Sequence, residues 1–298
     1  MSVIAFNNIY RAYRRGVDVL KDVTFSVGAG EVVGLLGKNG AGKTTLIRIA
    51  MGMLQPRAGE VRLFGLDPRE KPVEVKRRVG YVSEDQILPE FLRVEDVVHL
   101  HRGLFPHWDQ AWELELRERF AIDPRARIKT LSKGQARQVA VLCAVAHRPE
   151  LLILDEPAGG LDPAARREFL EVAIETLVDG GSTILFSSHH MGDVERIAAR
   201  IVLLHRGRVL IDRELDALRE EVSLAIVTPR NGTMLERVRE LDGCLAARVH
   251  AGELRAVFSR PPDEVRRGLA EELGAPDAIC TPLDLEELFV ETVEGQGR

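Results

Sequence analysis

Short, unbroken apolar runs bounded by glycine or charge mark the centre of this chain's fold. Val32-Val33-Gly34-Leu35-Leu36, Leu151-Leu152-Ile153-Leu154 and residues 183–186 are of strand length. A strand that is apolar on both faces belongs inside a parallel sheet covered by helices. Residues 1–84 and 149–218 are expected to alternate strands with helices, the pattern of an α/β sheet. Between them, residues 93–147 have helical periodicity: Trp112, Leu116 and Phe120 recur every fourth position behind Asp109, a residue suited to cap a helix. The pattern changes after Arg219. Strands at 223–228, 245–250, 254–258 and 278–281 interleave with helices at 234–241 and 263–273, the order of a ferredoxin-like module. The expected fold is therefore α/β. A core with a mainly parallel sheet covers residues 1–219, a helical subdomain is inserted at about 85–148, and a small α+β module covers 220–298.

The first apolar run leads into Gly37-Lys38-Asn39-Gly40-Ala41-Gly42-Lys43-Thr44-Thr45, which fits G-x-x-x-x-G-K-[ST]. An apolar helix, Thr45-Leu46-Ile47-Arg48-Ile49-Ala50, follows. A strand, a glycine-rich turn and a helix N-terminus form a phosphate cradle, because free N–H groups and the positive dipole end converge on one point. Lys43 adds a mobile cation for the β- and γ-phosphates, and the Thr44 hydroxyl suits Mg²⁺. These features predict a P-loop NTPase core. The second run ends in Asp155-Glu156, placing two carboxylates at the C-terminal end of a strand, where the ligand crevice of such a sheet opens. Asp155 is expected to hold Mg²⁺ and Glu156 to polarise the water that attacks the γ-phosphate.

Leu131-Ser132-Lys133-Gly134-Gln135, upstream of the acidic strand, resembles the LSGGQ signature of the ATP-binding subunits of ABC transporters. The resemblance covers residues 3–218 and rests on several motifs in the same order and spacing. It implies ATP and Mg²⁺ as ligands, and it implies that Ser132, Gly134 and Gln135 close over ATP held by the P-loop of an opposing subunit. Ser132 also reads as a helix N-cap. Tyr13 matches the aromatic that stacks on adenine, with Tyr10 as a nearby competitor. Residues 159–162 resemble the loop that touches the partner subunit. His189 matches the switch histidine, with His190 one position away. Two positions depart from the pattern. Glu84 stands where the family usually has a glutamine that ligates Mg²⁺, with Gln86 as an alternative, and Lys133 replaces the first glycine of the signature. A carboxylate at 84 still suits a hard cation but adds negative charge beside the triphosphate.

Composition narrows the partners. No apolar run approaches the roughly 18 residues that span a bilayer, and residues 1–6 lead into a strand rather than a signal peptide. The expectation is a cytoplasmic chain held at the inner face of the membrane through a permease partner. Cys143, Cys244 and Cys280 are far apart and lack metal spacing, so they read as reduced thiols. His99-x-His101 has no further ligand at zinc-like spacing and reads as an element surface. The formal net charge is −5, and residues 220–298 carry 16 acids against 9 arginines. An acidic tail is unsuited to gripping phosphates, so nucleic acid is not an expected partner. The closing Leu283-Asp284-Leu285-Glu286-Glu287-Leu288-Phe289 resembles a short helix in exporter-type members of the drug, antibiotic or lipid class. Leu-Ser-Lys-Gly with that tail is most similar to bacterial members encoded beside GntR-type regulators. The resemblance implies an ATPase that pairs as a homodimer, or with a sister subunit, around two ATP-Mg²⁺ and powers a transmembrane exporter. The alternatives are an importer subunit or a soluble ABC-type ATPase not coupled to transport.

Overall fold

The computed structural model describes residues 2–14, 16–85, 88–163, 166, 167, 169, 170, 182–229 and 233–295. The chain forms two compact units, Met1–Asp212 and Arg213–Arg298.

In the first unit, β1 (Ser2–Arg14), β2 (Val17–Gly28) and β3 (Val32–Leu36) precede α1 (Lys43–Ala50), β4 (Ala58–Leu63), α2 (Pro72–Lys76) and β5 (Val79–Val82). Three strands before the first helix break the alternation expected for residues 1–84. β1 pairs antiparallel with β2 and β4 in a three-stranded sheet of order β2-β1-β4. The reason lies in period-two burial: Val23, Phe25 and Val27 point inward while Thr24 and Ser26 face out, the mark of a sheet buried on one face. The helical insert holds α3 (Val94–Leu104), α4 (Gln110–Arg119) and α5 (Lys133–Val145). Then follow β6 (Leu151–Leu154), β7 (Thr183–Ser188), α6 (Met191–Ile197), β8 (Arg200–His205) and β9 (Arg208–Glu214). A six-stranded sheet of order β5-β6-β7-β3-β8-β9 forms the centre, with β5/β6, β6/β7, β7/β3 and β3/β8 all parallel. The unbroken apolar runs are its inner strands, and Val33, Leu35, Ile153 and Leu185 are wholly buried. Each such side chain contributes about 1.5–3 kcal/mol.

The caps form where the sequence places them. Asp109 Oδ1 accepts from Trp112 N at 2.9 Å, and Trp112, Leu116 and Phe120 are buried. Ser132 Oγ accepts from Gln135 N at 3.2 Å while Gln135 Oε1 accepts from Ser132 N at 2.9 Å, a reciprocal capping box. Trp108 is half-buried and donates through Nε1 to the buried Glu113 at 2.7 Å. Arg102 and Arg117 complete that carboxylate's partners at 2.6 and 2.7 Å, as a buried charge requires. His99 and His101 lie on α3, and the His101 ring is hydrogen-bonded to Val97 O at 2.8 Å.

The second unit continues with α7 (Leu215–Glu221), β10 (Ser223–Val227), α8 (Met234–Glu240), β11 (Cys244–His250), β12 (Glu253–Phe258), α9 (Pro262–Leu273), β13 (Ile279–Pro282) and α10 (Leu285–Gly295). From β10 to β13 this is the expected strand–helix–strand–strand–helix–strand order. The sheet runs β11-β12-β10-β13 with every pair antiparallel. Its own core gathers Val227, Met234, Val238, Phe258, Val265 and Leu269. Glu291 of α10 pairs with Arg248 and Arg255, each at 2.8 Å. The three cysteines are free thiols, and burial pushes Cys143 up to about 12 and Cys244 up to about 11.

Candidate functional site

The loop between β3 and α1 takes its path because two of its glycines have no substitute. Gly42 has φ +111°, and a Cβ there would lie 2.6 Å from Leu20 Cδ2. At Gly37 a Cβ would lie 2.5 Å from the Leu204 carbonyl oxygen. The bare backbone therefore packs against β2 and β8 and leaves a cavity of about 430 Å³ on its outer side. That cavity brings Tyr13, Glu84 and Glu156 to Asn39, Gly40, Gly42, Lys43, Thr44 and Thr45. Gly37, Lys38 and Ala41 belong to the same loop and do not line the cavity. Tyr13 is more than half exposed, and its hydroxyl lies 3.2 Å from Thr45 Oγ1. Tyr10 is part-buried on β1 opposite Ala58 and does not line the cavity.

Lys43 and Glu156 are both nearly buried and ion-paired, with Nζ 3.0 Å from Oε1. Lys43 also donates to Gly37 O at 2.6 Å. The other carboxylate oxygen of Glu156, Oε2, lies 2.8 Å from His189 Nδ1. Glu156 thus joins Lys43, which lines the cavity with it, to His189, which does not. The His190 ring packs against that of His189 with centroids 4.0 Å apart, and its residue caps α6, so His189 is the one at Glu156. Glu156 itself has φ +47°, a left-handed backbone rarely held by a non-glycine residue. Its N–H donates to Ser187 Oγ at 2.9 Å, and Ser187 Oγ donates to Asp155 Oδ1 at 2.7 Å. Ser187 therefore ties the two acids together. The sequence reading passed over it, although a serine breaking an apolar strand just before the histidine was a signal.

Asp155 is wholly buried and accepts from Thr44 Oγ1 at 3.3 Å. Burial raises its carboxyl above the usual aspartate range, against the opposing hydrogen bonds from Ser187 and Thr44. Its Oδ2 has no partner among the described residues. Burial also raises Glu84, with the charges of Asp155 and Glu156 adding to the effect. An orphaned buried carboxylate oxygen beside a hydroxyl, with a second acid on the same cavity, fits a hard cation such as Mg²⁺. No cluster of three or more His, Cys, Asp or Glu suited to a metal occurs among the described residues. The remaining ligands of such a cation would be phosphate oxygens and water. Gln86 lies outside the described residues.

Ser132, Gly134 and Gln135 sit at the exposed start of α5 and do not line this cavity. A Cβ at Gly134 would find nothing nearer than Leu161 Cδ2 at 3.8 Å. Nothing among the described residues demands glycine there. Five residues along α5, Arg137 reaches back to the loops that carry Glu84 and Glu156. It donates to Ser83 O at 3.0 Å and to Gly159 O at 3.3 Å. The sequence reading also missed this arginine, whose signal was a second cation, one turn after Lys133, at the head of an apolar helix.

The family profile described as "ABC transporter" matches residues 20–159. Nod factor export ATP-binding protein I of Bradyrhizobium diazoefficiens is 32% identical over 280 residues, covering 91% of this chain and 90% of that protein. Energy-coupling factor transporter ATP-binding protein EcfA2 of Symbiobacterium thermophilum is 35% identical over 259 residues, 80% of this chain and 88% of the relative. A solved structure of an ATP-binding subunit of an ABC transporter superposes with a TM-score of 0.65 at 32% identity, covering 73% of this chain and 92% of that one.

Proposed function

The chain belongs to the ATP-binding subunits of ABC transporters, and on that premise we propose that it drives a separate membrane exporter. As a member it binds ATP with Mg²⁺ and hydrolyses it, and subunits of this family dimerise and work with a transmembrane permease. The observation that supports the site assignment is the buried Lys43–Glu156 ion pair in the loop cavity, with the part-exposed His189 on the second oxygen of Glu156.

In our reading the P-loop N–H groups and Lys43 take the β- and γ-phosphates, and Tyr13 receives the adenine. Thr44, Asp155 and Glu84 would hold Mg²⁺, which when bound neutralises phosphate charge. Lys43 cannot serve both Glu156 and a phosphate fully. Nucleotide entry draws its charge toward the phosphates and frees Glu156 Oε1 for water. Glu156 then accepts a proton as the water oxygen bonds to the γ-phosphorus. The bond from that phosphorus to the bridging oxygen breaks, and ADP and phosphate leave. His189 holds Glu156 in place through the 2.8 Å contact. Ser132, Gly134 and Gln135 act on the nucleotide of an opposing subunit, because they stand outside their own chain's cavity.

Two observations support a permease partner and export. Phe91, Leu100 and Leu104 expose large apolar side chains on the helical insert, at 75%, 56% and 71%, more than single scattered residues require. The exporter-named relative also aligns over 91% of the chain, including much of the C-terminal unit. The other relative carries an energy-coupling factor name, so identity alone does not set direction. No helix among the described residues is long and apolar enough to cross a membrane. We place the chain at the cytoplasmic face through its partner. The test is co-purification with the membrane protein of the adjoining reading frame, then reconstitution in proteoliposomes with ATP outside. Export requires cargo to accumulate inside without a soluble binding protein. Dependence on such a protein would reassign the chain to import, and no membrane partner at all would favour a free-standing ATPase.

A further inference from the structure

Among the described residues Arg137 makes no ion pair at bonding distance, yet its guanidinium is half-buried and fully directed. Nη1 donates to Ser83 O at 3.0 Å and Nη2 to Gly159 O at 3.3 Å. Ser83 immediately precedes Glu84, which lines the nucleotide cavity. Gly159 closes a tight turn on Glu156: its N–H donates to Glu156 O at 2.9 Å, and a Cβ on it would lie 3.1 Å from the same oxygen. A hydrogen-bonded path therefore runs from Arg137 through residue 159 to the backbone of Glu156. From the other side, Ser187 holds the Glu156 N–H at 2.9 Å. The left-handed backbone of Glu156, at φ +47°, persists only where its surroundings over-determine it.

We propose that Arg137 is a positioning residue for hydrolysis, clamping the Glu84 loop and the Glu156 turn to the helix that begins at Ser132. The fork is the reason an arginine stands there. Its planar donors span two separated carbonyls in fixed geometry, which a lysine's compact, freely rotating ammonium does not reproduce. Both acceptors are neutral backbone groups, so the clamp fixes position without adding a counter-charge to either acid. Burial lowers the Arg137 pKa, and the charges of Glu84 and Asp85 oppose that effect only in part. Ser132 to Gln135 and Arg137 share one continuous helix start. Displacing that start moves both loops together, so closure of the signature on a partner's nucleotide is felt at this chain's own Glu84 and Glu156.

The inference rests on Glu156 being the group that activates water, so the test measures both. Full-length wild type, R137A, R137K and E156Q are compared for ATP turnover, equilibrium binding of a fluorescent ATP analogue with Mg²⁺, and thermal midpoint. R137A is expected to lose on the order of 10²-fold in kcat, the cost of a catalytic group misplaced by about an ångström. Its nucleotide binding should stay within about threefold of wild type, as for an interaction that matters in the transition state only. R137K should recover part of the loss by holding one carbonyl. R137A in the E156Q background should cost nothing further, because both act on the same step. Wild-type kcat in R137A beside an inactive E156Q would overturn the clamp and leave the site assignment standing. Wild-type kcat in E156Q would overturn the site assignment itself. If R137A loses binding and thermal midpoint along with turnover and R137K recovers nothing, the arginine is merely structural. If R137A does not fold, R137K and R137Q decide the same comparison.

Discussion

Glu156 touches Lys43 through one carboxylate oxygen and His189 through the other. Changing it should therefore separate binding from chemistry. E156Q keeps the shape of the group and leaves the loop N–H groups and Lys43 free for phosphate. It is expected to bind ATP normally and to lose about 10²-fold or more in turnover, the usual worth of a positioned base. K43A is expected instead to weaken nucleotide binding itself, read by isothermal titration. Asp155 provides a second test without any ligand. Its pKa is raised by burial, so the folded chain holds the proton more tightly than the unfolded chain. The charged form then subtracts stability once the pH exceeds the unfolded value of 3.8. D155N keeps an acceptor for Ser187 and Thr44 while removing that charge. Its ligand-free thermal midpoint at pH 7 should rise by roughly 2–4 °C, the shift that about 1 kcal/mol produces in a domain of this size. The gain should shrink as the pH is lowered toward 3.8. A calorimetric series showing no gain at pH 7 would reject the account of Asp155 as a strained acid awaiting a cation.

At the level of elements, the start of α5 is the informative piece. Its capping box is complete within the chain, and a Cβ at Gly134 meets nothing nearer than 3.8 Å. G134D should therefore leave the thermal midpoint unchanged, since nothing among the described residues is displaced. If α5 closes on a partner's nucleotide, the same change sets a carboxylate against a triphosphate and blocks pairing. In an E156Q background, differently tagged chains bearing K43A or G134D should pair weakly alone. The mixture should pair measurably, because each heterodimer keeps one intact composite site. Pairing of G134D as strong as that of its parent would remove the composite site.

The whole molecule divides at residues 212 and 213, and each unit has its own buried apolar cluster. A chain ending at Asp212 is expected to fold and to bind ATP with the affinity of the full protein, because every described residue lining the nucleotide cavity, and His189 beside Glu156, lies before Asp212. Residues 213–298 should fold separately, with cooperative unfolding by circular dichroism. Loss of ATP binding in the shorter chain would mean that the C-terminal unit completes the site or its scaffold.

Much of this could be read from the sequence because the relevant physics is local. The glycine loop, the two acids after an apolar strand and the caps at Asp109 and Ser132 each depend on a few adjacent residues whose conformational needs are strong. The βαββαβ order of the second unit was readable for the same reason, since period and turn signals alternate cleanly there. The β2-β1-β4 sheet was visible as period-two alternation in Val23, Phe25 and Val27, but was outweighed by the expectation of strand–helix alternation. The fold decided which distant groups meet. It set His189 rather than His190 against Glu156 and used Ser187 to join Asp155 to Glu156. It also sent Arg137 back across two loops to Ser83 and Gly159. Those pairings depend on strand order and on where each parallel strand ends. Only packing of the whole sheet fixes them, because residues far apart in the chain become neighbours when their strands end side by side.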